Sequence, residues 1–279
     1  MVWQTARRKL LLDRPLVMGI LNVTPDSFSD GGQYLSVDDA LKRAEKMIAE
    51  GVDIIDVGGE STRPGSNSID ADEEIHRVVP VIDAIAKRFD SPISIDTTKS
   101  EVAESAVDAG AEIINDISGL RFNERLAEIT ARSKAGIVLM HSRGEFAALH
   151  LQPPVDDILA HVKTDFGRSL AVAHSYGVTD EQIVLDVGVG FGKTLEQNLE
   201  LIAKLDKLIA EFPEYPMLVG ASRKSFIGKV LGDVPSSERL GGSIAAALIA
   251  VQNGAKIVRV HDVKETVAAI RIAARIGAV

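Results

Sequence analysis

The sequence predicts one (β/α)8 barrel, an α/β fold, and three observations carry that expectation: eight apolar runs, amphipathic segments between them, and polar residues where the runs end. The runs, rich in Val and Ile, cover 16–23, 54–58, 93–97, 113–118, 136–141, 183–188, 217–222 and 257–261. Their near-continuous hydrophobicity suits parallel strands covered on both faces, because a sheet with one wet face would alternate. Helix-length segments follow at 38–50, 72–88, 100–109, 123–133, 155–176, 195–212, 237–253 and 263–276. Several stop at a glycine in the C-cap position: Gly51, Gly110, Gly177 and Gly254. Strict alternation over eight rounds favours closure into a barrel over a doubly wound open sheet, whose G-x-G-x-x-G turn after the first strand is missing.

At 279 residues the chain is long for one domain, but α/β barrels of about 250 residues are common. No Ser/Gly/Pro-rich linker, charge block or repeat divides it, so 1–279 is read as a single domain. Residues 1–15, with Trp3, are expected to cover the barrel bottom. A net charge of −9 disfavours nucleic acid and anionic membrane as partners, since phosphate rewards a basic face. Zero cysteines exclude disulfides, a thiolate nucleophile and a cysteine-based zinc site. The apolar stretches are too short for a signal-peptide core or a membrane span, and the expected location is cytoplasmic.

Barrel chemistry sits at the carboxyl ends of the strands, so polarity there is read as functional. Asn22 ends the first run, Asp56 lies in the second, Asp96 ends the third, and Asn115 and Asp116 sit in the fourth. His141 ends the fifth, Asp186 lies in the sixth, Ser222, Arg223 and Lys224 follow the seventh, and Arg259 and His261 close the eighth. So many buried ionic and amide groups in Val/Ile strands are costly unless something pairs with them, and a ligand is the simplest partner. Any one of them taken alone could equally be a satisfied interior residue. Arg259 and His261, two apart on a strand, face one side and point to an anion. Two hydroxyl-rich loops, 22–32 with Phe28 and 58–66 with Arg63, have the composition of segments that close over a substrate. His76, His150, His161 and His174 show no metal-ligand spacing and are expected to be surface or packing residues; the acidic run 70–74 is expected to start a helix.

The stretches MGILNVTPDSFSDGG at 18–32 and DVGGESTRPG at 56–65 resemble the two signatures of the dihydropteroate synthases. SIDT at 94–97, INDI at 114–117, DVGVGFGK at 186–193, GASRKS at 220–225 and RVH at 259–261 are similar to its remaining motifs, in order. The chain departs from the family after His141, where Ser142, Arg143, Gly144, Glu145 and Phe146 replace a Gly-x-Pro-x-x-Met-Gln-like continuation.

The resemblance implies condensation of 6-hydroxymethyl-7,8-dihydropterin pyrophosphate with p-aminobenzoate, giving dihydropteroate and pyrophosphate. It implies a pterin subsite of Asp96, Asn115, Met140, Asp186, Lys224 and Arg259, and a pyrophosphate subsite of Asn22, Thr62, Arg63, Arg259 and His261. It places p-aminobenzoate near Phe28, Thr62, Pro64, Phe191, Lys224 and Ser225. Catalytic weight then falls on Asp96, Lys224, Arg63, Arg259 and His261, with Mg²⁺ as cofactor on Asn22 and a homodimer through the last helices. The nearest rival is a methyltetrahydrofolate methyltransferase, which has no use for an anion site at Arg63, Arg259 and His261.

Overall fold

The computed structural model describes residues 1–24, 36–62, 66, 68–149 and 152–277. Eight parallel strands close into a barrel, each hydrogen-bonded to its neighbour in sequence and the last to the first. They are β3 (Leu16–Asn22), β4 (Ile54–Gly58), β5 (Ile93–Asp96), β6 (Ile113–Asp116), β7 (Gly136–Met140), β8 (Ile183–Asp186), β9 (Met217–Val219) and β10 (Ile257–Val260). Around them run α1 (Val37–Glu50), α2 (Ala71–Arg88), α3 (Ser100–Ala109), α4 (Arg125–Ser133), α5 (Ile158–Ser175), α6 (Leu195–Ala203), α7 (Leu205–Glu211), α8 (Ser225–Val230), α9 (Leu240–Gln252) and α10 (Val263–Gly277). The expected (β/α)8 barrel is the observed one.

Period-two alternation along each strand divides the residues between two cores. One set of positions points outward against the helices: Ile55, Val57, Ile95, Ile114, Leu139, Leu185, Val219 and Val258 join a large cluster with the buried faces of α1 to α10. The other set points inward, where Leu16, Met18, Ile54, Ile113, Val138, Val184, Leu218 and Ile257 form a separate apolar layer. Two residues further along, the same inward positions hold Asp56, Asn115, Met140, Asp186 and Arg259, with Asp96 on β5. The site is therefore the storey directly above an apolar floor.

Below that floor the chain adds an antiparallel hairpin, β1 (Val2–Gln4) with β2 (Lys9–Leu11), which the sequence reading treated as a plain segment. Trp3 is fully buried among the interior residues, and its Nε1 donates to the Gln182 carbonyl at 2.8 Å. Close approach demands a residue without a side chain opposite it, and a Cβ on Gly136 would lie 2.9 Å from that Nε1. Trp3→Ala should cost about 3–5 kcal/mol, seen as a lowered urea midpoint with catalytic activity per folded molecule retained.

Side-chain capping sets four of the ten helix starts among the described residues. Ser36, Asp70, Asp157 and Thr194 accept from backbone N–H groups in the first turns of α1, α2, α5 and α6. At the other ends Gly51 (φ 93°), Gly110 (φ 120°), Gly177 (φ 87°) and Gly254 (φ 103°) take the positive-φ conformations expected of them. Some boundaries differ from expectation. The single helix foreseen at 195–212 breaks at Lys204, where Asn253 Nδ2 donates to the Ile202 carbonyl at 2.8 Å and so ends α6 from outside. The short α8 was not foreseen, and the last but one helix starts at Leu240 rather than 237.

Candidate active site

Arg259, from β10, is the hub. Its Nε donates to Asp56 Oδ2 at 2.6 Å and its Nη2 to Asp96 Oδ2 at 2.5 Å. Asn115 Nδ2 donates to the same Asp56 oxygen at 3.2 Å, so β4, β5, β6 and β10 are joined by one polar network. A Cβ placed on Gly58 would lie 3.5 Å from Asn22 Oδ1 and 3.6 Å from the Asp96 Cβ, which puts Asn22 and Asp96 on either side of that glycine. Across the barrel, Asp186 accepts from the Gly188 N–H at 2.7 Å. The charges of Lys224 and Arg259 both act on Asp186.

The loop after β8 is shaped by Lys193, whose Nζ donates to the carbonyls of Gly188 at 2.6 Å, Phe191 at 3.0 Å and His141 at 3.3 Å. A lysine spent on three carbonyls is a structural brace, and burial holds its ammonium well below the ordinary lysine value. Glycine is required at 188, where φ is +63° and a Cβ would sit 1.8 Å from the His141 carbonyl oxygen. It is also required at 190, where φ is +88° and a Cβ would meet Lys224 Cδ at 2.8 Å. Lys224 thereby packs close to the loop; its Nζ donates to the Val189 carbonyl and lies 4.3 Å from the centre of the Phe191 ring.

Electrostatics follow from this crowding. Burial pushes the Asp96 carboxyl up to about 7; Arg259 opposes the shift, and Asp56 adds to it. Burial likewise raises Asp186 against the pull of Lys224. The Lys224 ammonium is lowered to about 8 by burial, with Asp186 opposing and Arg259 contributing. Burial works against the charge of Arg259, but Asp56 and Asp96 outweigh it and hold the guanidinium above its ordinary value. Taken together, the mouth holds three carboxylates, two amides and two cations over an apolar floor, which suits a flat heterocycle bearing N–H groups and a carbonyl.

The description "pterin binding enzyme" fits residues 18–261, nearly the span from the first interior strand to His261. The chain belongs to the pterin-binding enzyme family. Within that family it is 50% identical to the dihydropteroate synthase of Escherichia coli strain K12 over 263 residues, covering 94% of this chain and 91% of the relative. Among solved structures, the Yersinia pestis dihydropteroate synthase in a sulfonamide drug complex superposes with a TM-score of 0.93 at 43% identity, covering all of both chains. The Xanthomonas albilineans dihydropteroate synthase with 4-aminobenzoic acid gives 0.92 at 40% identity, again over all of both.

Set against the pterin-binding family's motifs, the structure brings Asn22, Asp96, Asn115, Met140, Asp186, Lys224 and Arg259 to one mouth. Met140 and Phe191 share a small apolar cluster with Ile117 and Leu149, against which Phe122 and Phe146 pack. The atypical stretch after His141 thus folds onto Met140 through Phe146, and Arg121 ties it down by donating to Ser142 Oγ at 2.9 Å and the Gly144 carbonyl at 3.1 Å. His261 Nδ1 lies 3.1 Å from Ser222 Oγ, beside the strand that carries Arg259. Thr62 is partly exposed in the loop after β4, and Ser225 is exposed at the start of α8. Phe28, Arg63 and Pro64 lie outside the described residues.

Three expectations are corrected. Asp116 belongs to the outward set and accepts from Ser118 N–H at 2.8 Å and Leu120 N–H at 2.6 Å, closing a turn instead of facing the mouth. Arg223 has a left-handed φ of 58° and sends its guanidinium to Asp262, leaving only Lys224 of that pair for the site. His161 is not a bland helix residue, because it meets His141 and Asp165. One interior residue was under-read: Asp56, fully buried, is the carboxylate that positions both Arg259 and Asn115. Its signal was its place two residues beyond Ile54 on the inward face.

Proposed function

We infer that this site joins 6-hydroxymethyl-7,8-dihydropterin pyrophosphate to p-aminobenzoate, releasing pyrophosphate, so that the chain is a dihydropteroate synthase of folate synthesis. The convergence of Asp96, Asn115, Asp186, Lys224 and Arg259 above one apolar floor carries the reading. Asp96 and Asp186 would accept from the amino and ring N–H groups of the pterin, Asn115 would give and take, and Lys224 would donate to its carbonyl. Met140 would pack one ring face and Arg259 lie over the other. Arg63, Arg259, His261, Asn22 and Thr62 would meet the pyrophosphate. p-Aminobenzoate would bind by Phe28, Thr62, Pro64, Phe191, Lys224 and Ser225; Phe191 already lies beneath the Lys224 ammonium.

The chemistry is alkylation of an arylamine. The amine nitrogen of p-aminobenzoate bonds to the pterin methylene carbon as that carbon's bond to oxygen breaks, the electron pair leaving with pyrophosphate. The new ammonium then sheds its proton to solvent. Arg259 and the neighbouring cations stabilise the departing charge, and Asp96 and Asp186 favour the electron-poor ring as it forms. No covalent protein nucleophile is needed. The amide oxygen of Asn22 suits Mg²⁺, a hard ion that keeps several waters and takes few protein oxygens, the rest coming from the phosphates. Such an ion, when bound, would neutralise charge on the leaving pyrophosphate.

Purified protein incubated with the pterin pyrophosphate, Mg²⁺ and p-aminobenzoate should yield dihydropteroate and pyrophosphate in equal amounts. Pterin binding with no pyrophosphate release would instead favour a methyltransferase or a binding-only paralogue. The pH profile should report Lys224: as pH rises through about 8 the ammonium loses its proton, so kcat/KM should fall on that limb. In Lys224→Arg the limb should move to higher pH, because a guanidinium stays charged.

The assembly we propose is a homodimer through the last helices, supported by the exposed apolar side chains Val230, Leu231, Leu240, Ile249, Ile272 and Ile276 along α8 to α10. A cytoplasmic setting fits an enzyme of folate synthesis. Among the described residues no helix is long and apolar enough to cross a membrane.

A further inference from the structure

Outside the barrel mouth, one cluster has the composition of a metal site. His141 follows Met140 at the end of β7 and, by alternation, points outward to α5 rather than into the pterin pocket. There its Nε2 lies 3.0 Å from Nδ1 of His161 and 3.3 Å from Oδ2 of Asp165, while the latter two atoms are 3.6 Å apart. These are the only three such groups among the described residues whose ligand atoms fall within 4.8 Å of one another. A tetrahedral ion with bonds of about 2.0–2.1 Å holds its ligand atoms about 3.3 Å apart, so the triangle already has the size of one tetrahedral face.

We propose that His141, His161 and Asp165 bind a transition-metal dication of the zinc type, at a site distinct from the Asn22 oxygen donors. Two imidazole nitrogens and one carboxylate oxygen form a donor set that prefers Zn²⁺ or Co²⁺ to Mg²⁺. His161 and Asp165, four apart on α5, present their ligand atoms from successive turns of one helix face. Access comes from solvent: a cavity of about 290 Å³ is lined by Asp157, Ala160, His161, Thr164 and Asp165. His141 approaches the same two groups from the protein interior, with its side chain wholly enclosed. Among the described residues its Nδ1 has no hydrogen-bond partner. Binding would pin α5 to the carboxyl end of β7, one residue from Met140 and hydrogen-bonded through the His141 N–H to the Asp186 carbonyl at 2.9 Å.

Co²⁺ titrated into the full-length protein with excess Mg²⁺ present tests this. One equivalent should saturate a visible d–d band of nitrogen-coordinated cobalt, and Zn²⁺ should displace it. His161→Ala and Asp165→Asn, both at partly exposed positions of α5, should each weaken binding by more than about tenfold, the scale lost even with an outer-shell partner. Zn²⁺ should raise the Tm of the wild-type chain and leave that of the double variant unchanged. Cobalt binding equal in the wild type and the double variant, or no saturable binding at all, would overturn the proposal. Because these readouts need no turnover, they stand apart from the synthase assay.

Discussion

Arg259→Met should lower kcat by about 10²–10³-fold, the range lost when a single charge-stabilising donor is removed from an active site. The guanidinium is held by Asp56 and Asp96 at 2.6 and 2.5 Å, so its loss also leaves two carboxylates facing each other without a counter-charge. Breaking a buried pair in this way costs about 3–5 kcal/mol of stability. Both effects should appear in one protein, as a slower steady-state rate and a lower urea midpoint. Arg259→Lys should recover part of the stability and little of the rate, because an ammonium cannot fork onto two carboxylates and an anion together. A methionine variant working within tenfold of the wild type would remove Arg259 from the mechanism.

Asp186→Asn should separate binding from stability. Burial already disfavours the charged form of this carboxylate, so the neutral isostere relieves a penalty, and Tm should hold or rise. The sign is that of a group whose pKa in the fold lies above its unfolded value: deprotonation destabilises the fold as pH climbs, and the amide removes that loss. Pterin affinity should nonetheless fall about 10–100-fold, because an acceptor from ring N–H groups becomes in part a donor. Calorimetric titration with a pterin, beside a thermal melt, checks both halves. A drop in Tm together with unchanged affinity would show Asp186 to be a brace for the Gly188 turn and nothing more.

The barrel was legible because the strands are largely apolar runs and several of the crossover helices end at a positive-φ glycine. Seven of the eight run ends were read one to three residues long, since residues such as Thr97, Ser118 and Ser222 leave the ladder while still extending the polar-tipped pattern. The break at Lys204 could not be read, as no Gly or Pro marks it and its cause is the side chain of Asn253, far along the chain. The hairpin at the start carries no turn dipeptide; burial of Trp3 creates it. In the site, Arg259, Asp96 and Asp186 were readable from strand position alone. Asp56 needed its partners in view, and the His141–His161 meeting needed the packing of α5 on β7. Spacing did hold half of that signal, in the four-residue step from His161 to Asp165.

Two-residue alternation has a bearing on how this enzyme can change. A deletion of one residue within β6 would throw everything after it out of phase, offering Ile114 or Asp116 to the ligand in place of Asn115 and driving a carboxylate or an amide into the hydrophobic shell beneath the helices. Substitutions at the rim meet no such obstacle, since the oily layer below holds the frame whatever is grafted above it. Length variation should accordingly accumulate between elements and chemical variation at strand tips, so that this scaffold can drift in substrate preference while its strands keep an invariant count.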